Sequence, residues 1–202
     1  MRRSKEDAEE TRKLIVETAL VEFAEKGYSG ASLSGIAARI NLTKGAVYWH
    51  FKNKDELFYT LIEEKTRSAG REMEKLIVSD LPPREKLEKY MKLYLSLLEE
   101  DCGYRAVQKI LFFHMEHTEE MEEDLRSKAG YLKQLHQTFS SLIEEAVKNG
   151  SLNFTGSSET AAYALLSYIY GIANTWLFYE GGMTMTRDGA AMVDFFLKGL
   201  ES

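Results

Sequence analysis

Two prolines, Pro82 and Pro83, are the whole proline content of a 202-residue chain, and they stand side by side. Sheet-rich chains spend prolines on turns and edge strands, whereas helix interiors exclude them. A chain with a single proline site is free to be helical almost throughout, with one helix start enforced at Pro82–Pro83. Apolar spacing agrees. Ile15, Ala19 and Phe23 recur every fourth residue and predict a helix over Asp7–Lys26, stopped by Gly27. Ser32 is placed to cap a short helix through Ile40, with Ile36, Ala37 and Ile40 inward. Asn41–Leu42 reads as a tight break, after which Thr43 caps a very short helix over Lys44–His50. Asn53-Lys54-Asp55-Glu56 has the form of a capping box and opens a helix over Asp55–Val78.

Beyond the prolines, helices are expected over Arg84–Glu100 and Tyr104–Met115, with a break near Gly103. The acidic stretch Glu116–Asp124 reads as a connection or a frayed end. Leu132, Leu135, Phe139, Leu142, Ile143 and Ala146 keep helical spacing until Asn149–Gly150. Ser157 or Ser158 caps Glu159–Tyr179, which is nearly apolar all round and therefore belongs in a core or a subunit interface. Gly181–Gly182 ends it, and Thr186 is the expected cap of a last helix through Leu200. There is no strand-like alternation and no internal repeat. The expected fold is all-α: an N-terminal three-helix domain with a helix-turn-helix over 1–54, and a larger helical domain over 55–202.

Composition narrows the chemistry. Cys102 is the only cysteine, which excludes an internal disulfide and cysteine-rich zinc or iron–sulfur sites. The charged N-terminus is unlike a signal peptide, and no run approaches a membrane span, so a cytoplasmic protein without membrane contact is expected. The net charge of −6 hides an asymmetry: residues 1–54 carry ten Lys/Arg against seven Asp/Glu, leaving the remainder strongly acidic. A mildly basic head on an acidic body suggests a small polyanion-binding unit joined to something with another task.

The third helix sharpens this. Seven residues span about 10 Å, short enough to enter the major groove of DNA and too short to stand without neighbours. Lys44, Gly45, Tyr48, Trp49 and His50 are crowded into it, while Val47 and Phe51 have the character of inward anchors. On residue type alone, an aromatic cluster in a small helical domain is usually core, and isolated lysines are usually solvated surface.

Three segments carry a resemblance: Phe23-Ala24-Glu25-Lys26-Gly27-Tyr28, Ser32-Leu33-Ser34-Gly35-Ile36-Ala37, and Leu42-Thr43-Lys44-Gly45-Ala46-Val47-Tyr48-Trp49-His50-Phe51-Lys52-Asn53-Lys54-Asp55-Glu56-Leu57-Phe58. Together they resemble the DNA-binding domain of TetR-type transcriptional regulators over about residues 10–60. The Tyr48-Trp49-His50 variant, with Gly171-Ile172-Ala173-Asn174-Thr175-Trp176-Leu177-Phe178, is most similar to AcrR-like repressors of multidrug efflux genes. The resemblance implies that Lys44 and Gly45 approach base edges and that Tyr48, Trp49 and His50 meet sugar–phosphate and thymine methyls. It implies that Thr43 and Lys54 bind phosphate, with Ser32 alongside, on a double-stranded operator. Arg is frequent at the Lys44 position in AcrR-like members, and Lys gives up bidentate guanine geometry.

For the body, the resemblance implies a homodimer and a pocket for a small apolar or aromatic effector. Leu165, Tyr168, Ile169, Ile172, Phe195 and Phe196 are the candidate interface residues, drawn from two apolar helices that could pair across a two-fold axis. Ile62, Thr66, Met73, Tyr94, Phe112, Phe113, Phe139 and Trp176 are the candidate pocket walls, although core packing is the commoner role of such side chains. No cofactor is expected, and neither catalysis nor a metal site. His114 and His117 stand three apart, but neither a His-Glu-x-x-His nor a Glu-x-x-His pattern accompanies them. The readings left beside a ligand-released repressor are a metal-binding or enzymatic bundle using His114 and His117, and a TetR-type activator controlled by a protein partner.

Overall fold

The computed structural model describes residues 5–113, 122–179 and 182–200, with the backbone alone over 122–129. The described residues are helical and hold no strand. The chain divides into two compact units, Met1–Ser68 with Gly103–Glu116, and Ala69–Cys102 with His117–Ser202.

The first unit is built on α1 (Lys5–Gly30), α2 (Leu33–Arg39), α3 (Lys44–His50), the start of α4 (Lys54–Ile77), and α6 (Cys102–Phe113). Ile15, Ala19 and Phe23 are fully buried, as their spacing predicts. Gly27 interrupts α1 at φ 68°, ψ 177°, a backbone conformation that only glycine adopts without strain. The kink lets Tyr28 fold back, so that Phe58 meets both Phe23 and Tyr28 edge-on with ring centroids 5.0 Å apart. Arg12 pairs with Glu64 at 2.7 Å and Lys65 with Glu17 at 2.5 Å, two ion pairs between α1 and α4.

The second unit is organised around α5 (Pro83–Glu100), which packs against α7 (Glu122–Lys148), α8 (Ser158–Tyr179) and α9 (Ala190–Leu200). Pro83 occupies the first turn of α5, where a missing N–H leaves no bond unmade. Leu87, Met91, Leu95 and Leu98 of α5 are fully buried, as are Phe139 and Ile143 of α7. α7 ends on Gly150 at φ 75°: Ser151 N–H donates to the Ala146 carbonyl at 2.9 Å and Gly150 N–H to Val147 at 3.1 Å, a Schellman closure.

Two boundaries differ from expectation. The break before α6 lies at Asp101, and Gly103 is buried inside its first turn. Thr186 does not cap the last helix. Its N–H and hydroxyl both donate to Glu99 Oε2, at 2.8 and 2.9 Å, and a π-helical turn over Met185–Gly189 precedes α9. Asp188 accepts from Thr184 N–H at 2.9 Å, and its carboxyl is held down at about 2 by Arg187 and by that backbone bond. Gly189 packs closely here: a β-carbon on it would lie 3.2 Å from Leu95 Cδ1, so a larger residue needs that leucine to give by a few tenths of an ångström.

Candidate nucleic-acid interface

The turn that presents α3 is set by Asn41, a non-glycine residue at φ 54°. Asn tolerates that left-handed conformation better than most residues. Leu42 N–H donates to the Ala37 carbonyl at 2.9 Å and Asn41 N–H to Ala38 at 3.4 Å, closing α2 with a Schellman motif. At the front of α2, Ser32 Oγ accepts from Gly35 N–H at 3.0 Å. Thr43 Oγ1 then accepts from Ala46 N–H at 3.1 Å, so α3 begins one residue after the turn is complete.

Two side chains pin α3 down. Val47 is fully buried and Phe51 nearly so, with the Arg12 guanidinium carbon 5.3 Å from the Phe51 ring centroid. Most of the remaining candidate residues on α3 are exposed. Trp49 is 73% exposed and Tyr48 46%, while Thr43, Lys44 and Gly45 are also exposed. The core role left open for Trp49 by residue type is therefore corrected: the indole lies on the surface because Val47 occupies the inward face. His50 is half-buried and lies edge-on to Trp49, centroids 4.6 Å apart, and Lys44 Nζ is 5.4 Å from the Tyr48 ring centroid. A β-carbon on Gly45 would meet nothing closer than Thr43 Oγ1, at 4.0 Å. Nothing among the described residues requires glycine at that position.

Lys54 sits at the first turn of α4, and its ammonium is already engaged. It donates to the Tyr28 carbonyl at 2.8 Å and lies 4.2 Å over the Tyr28 ring, while the Tyr28 hydroxyl donates to Asp55. The cap of α4 is a variant of the expected box. Asn53 Oδ1 accepts from Glu56 N–H at 2.8 Å, but the Glu56 carboxylate takes Lys52 N–H at 2.7 Å, one residue further back than Asn53.

The side chains proposed for the body are distributed as follows. Ile62, Thr66, Phe112 and Phe113 belong to the first unit, Met73, Tyr94, Phe139 and Trp176 to the second. Thr66 donates its hydroxyl to the Ile62 carbonyl at 2.8 Å, and Trp176 donates its indole N–H to Met183 at 2.9 Å. Phe139 is fully buried against Tyr90, centroids 4.9 Å apart. Burial pushes the Tyr170 hydroxyl pKa up, and Tyr131 adds to it.

Leu165 and Ile169 need correcting as interface residues. Both are buried inside the single chain, on the face of α8 turned toward its own core, so neither is available to a partner. Tyr168 and Ile172 are half-buried; the Tyr168 hydroxyl donates to the Met192 carbonyl at 3.0 Å and its ring stacks on Phe196 at 4.9 Å. Phe195 is 75% exposed. The surface of α8 that does face outward carries Tyr163, Ala164, Ser167, Gly171, Thr175 and Phe178. His114 and His117 lie outside the described residues, and no group of three or more metal-ligating side chains occurs among those described. None of the described helices is long and apolar enough to cross a membrane.

Sequence reasoning gave no role to Glu22 or Arg39, and read Gly35 and Tyr28 only as part of the resemblance; all four are in the first unit. The Glu22–Lys26 spacing of four was a visible ion-pair signal. The partnership with Arg39, on another helix, was not.

A seven-residue helix presented by a capped helix-turn, anchored by two buried side chains and offering exposed Lys, Tyr and Trp, defines a helix-turn-helix transcriptional regulator. The chain belongs to the TetR family. Residues 15–60 match the description "Bacterial regulatory proteins, tetR family", and residues 82–202 match "MAATS-type transcriptional repressor, C-terminal region". Among relatives, the transcriptional regulator TtgR of Pseudomonas putida is 29% identical over 197 residues, covering 96% of this chain and 93% of that one. The transcriptional repressor BepR of Brucella suis is 29% identical over 203 residues, covering 100% of this chain and 97% of that one. Among solved structures, NalD, the secondary repressor of the MexAB-OprM multidrug efflux pump in Pseudomonas aeruginosa, superposes with a TM-score of 0.82 at 29% identity, covering 98% of each chain.

Proposed function

We propose that this regulator is a homodimeric repressor that binds a pseudo-palindromic operator through α3 of each subunit and is released by a small apolar or aromatic effector. The observation that carries it is the outward face of α3, where Trp49 and Tyr48 stand exposed beside Lys44 over a helix pinned by Val47 and Phe51. In this reading Lys44 and the open backbone at Gly45 approach base edges, where lysine reads guanine acceptors as a point donor. Thr43, Tyr48, Trp49 and His50 contact sugar–phosphate and thymine methyls, and Ser32 lies alongside. Lys54 keeps two ammonium hydrogens beyond the one it gives Tyr28, and directs them to phosphate at the start of α4.

The division of labour follows from the charge asymmetry: residues 1–54 serve DNA, and 55–202 serve the effector and the partner subunit. The dimer forms through α8 and α9, over the outward stripe Ala164, Gly171 and Phe178 with Phe195, Phe196, Tyr168 and Ile172. Small residues in that stripe allow close helix approach, and the exposed aromatics supply apolar area. The effector is met by residues among Ile62, Thr66, Met73, Tyr94, Phe112, Phe113, Phe139 and Trp176. Similarity to a repressor of a multidrug efflux pump supports efflux genes as the target and a hydrophobic drug-like compound as the effector. Release is a population shift in which the effector favours a conformation whose two recognition helices no longer match the half-site spacing.

The test is a titration of labelled duplex, selected by the protein from a randomised pool, at a series of salt concentrations. Binding as a dimer, with log affinity falling linearly as log salt rises, is the expected result. A flat salt response, or preference for single strands, overturns the reading.

A further inference from the structure

We propose that Glu22 is a positioning residue for operator recognition: its carboxylate fixes how α2 sits on α1, and thereby how α3 meets DNA. The inference rests on the role given to α3 above. Among the described residues, Glu22 is the one charged side chain that is fully buried. A carboxylate is tolerated in such a place only when its oxygens are taken up by cations or donors. Here both are. Lys26 Nζ donates to Oε1 at 2.7 Å, from the next turn of α1, and Arg39 Nε donates to Oε2 at 2.6 Å, from the last residue of α2. The second arm of Arg39 reaches the Glu25 carboxylate, so one guanidinium ties α2 to two carboxylates three residues apart on α1. Burial by itself raises the Glu22 pKa, but the bonds to Lys26 and Arg39 outweigh it and hold the group below the ordinary carboxylate value.

The opposite side of the carboxylate is equally confined. A β-carbon on Gly35 would lie 2.5 Å from Glu22 Oε1, so α2 crosses α1 at its glycine, with the carboxylate filling the gap. An apolar side chain of similar volume could fill that gap, yet it would leave the rotation of α2 about its own axis unspecified. Two charge-assisted hydrogen bonds are directional and specify it. Arg39 is also two residues before Asn41, whose turn leads into α3, and α3 packs on α2. An error in the seating of α2 is therefore passed to the outward face of α3, where a displacement of an ångström separates a base contact from none.

The experiment compares Glu22→Gln and Gly35→Ala with wild type, using one duplex selected by the wild-type protein and one scrambled duplex. The first substitution neutralises the carboxylate; the second displaces it while offering the helix a better former. Each is expected to weaken the selected duplex about tenfold, the scale of one lost base contact, while the scrambled duplex changes far less. In the double variant the two losses should fall short of full additivity, because a β-carbon at position 35 meets Glu22 Oε1 at 2.5 Å before it meets the cap oxygen Ser32 Oγ at 3.2 Å. Circular dichroism and sedimentation confirm folded dimers, and if Glu22→Gln fails to fold, Gly35→Ala carries the test. Folded variants that bind both duplexes as wild type does, or lose both equally, overturn the proposal. Strict additivity in the double variant overturns it as well. A wild type that selects no duplex at all removes the operator reading itself and this inference with it.

Discussion

α3 and α8 both push aromatic rings into water, and they do so in opposite company. On α3, Trp49 and Tyr48 stand next to Lys44 and His50, with a glycine opening the backbone beside them. On α8, Tyr163 and Phe178 flank a stripe of Ala164, Ser167 and Gly171, with no charged side chain in it. An exposed ring says little alone, because much of any protein surface is apolar. Its neighbours decide what it fits. Rings beside a lysine suit a polyanion with apolar edges, the sugars and thymine methyls of a DNA groove. Rings beside small uncharged residues suit a second helix packed close, and the nearest source of such a helix is another copy of the chain.

The largest expected effect separates the two faces of α8. Leu165→Glu and Ile169→Glu place a carboxylate in the subunit's own core without a partner, a loss of roughly 3–5 kcal/mol that should unfold the protein. Phe195→Glu should leave the subunit helical but monomeric at micromolar concentration. Circular dichroism melts and sedimentation velocity distinguish the outcomes; a stable dimer in Phe195→Glu would place the interface elsewhere.

A smaller effect tests α3. Trp49→Ala should cost about 2 kcal/mol of operator affinity, as a tryptophan near an interface centre does, with thermal stability unchanged because the ring touches little of the subunit. Loss of stability in place of affinity would mean that Trp49 is structural, and the comparison between the helices would fail. Lys44→Ala should cost about 1–3 kcal/mol at one base position and relax discrimination there, whereas Tyr48→Phe should weaken all duplexes alike. Identical ranking of operator variants by wild type and Lys44→Ala would remove the base-reading role.

The smallest effect concerns acid. The Glu22 carboxyl is depressed, so its contribution to stability is complete above the ordinary carboxylate range and is lost as pH falls through its lowered value. Denaturant melts of wild type and Glu22→Gln should therefore converge in strong acid and differ near neutrality. A constant difference across that range would mean that the charge is not what Glu22 contributes.

The bounds of α3 were legible because every signal that sets them is local: Asn41 in a left-handed turn, Thr43 as cap, Val47 and Phe51 four apart. The orientation of α8 was not. A helix apolar on all sides has no period from which to read its inward face, and the choice of Leu165 and Ile169 for the core is made by packing against α7 and α5. The start of α9 was equally hidden, since the π turn depends on Glu99 and Leu95, some ninety residues earlier in the chain. Burial of Glu22 follows the same rule. Lys26 lies within its own helix, but Arg39 and Gly35 reach it only once α2 has folded across.

Gly45 has a consequence for how such a regulator can be improved or worn down. Alanine at this position, in the first turn of α3, would strengthen the free protein by at most about 0.5–1 kcal/mol, the cost of glycine in mid-helix, and nothing among the described residues stands in its way. Any selection that rewards heat resistance alone should find that change early and, with the backbone at Gly45 meeting base edges as proposed, should lose gene control in finding it. Selection on transcription pulls the other way at the same atom. A library sorted first by thermal survival and then by operator binding should therefore enrich alanine in the first round and purge it in the second.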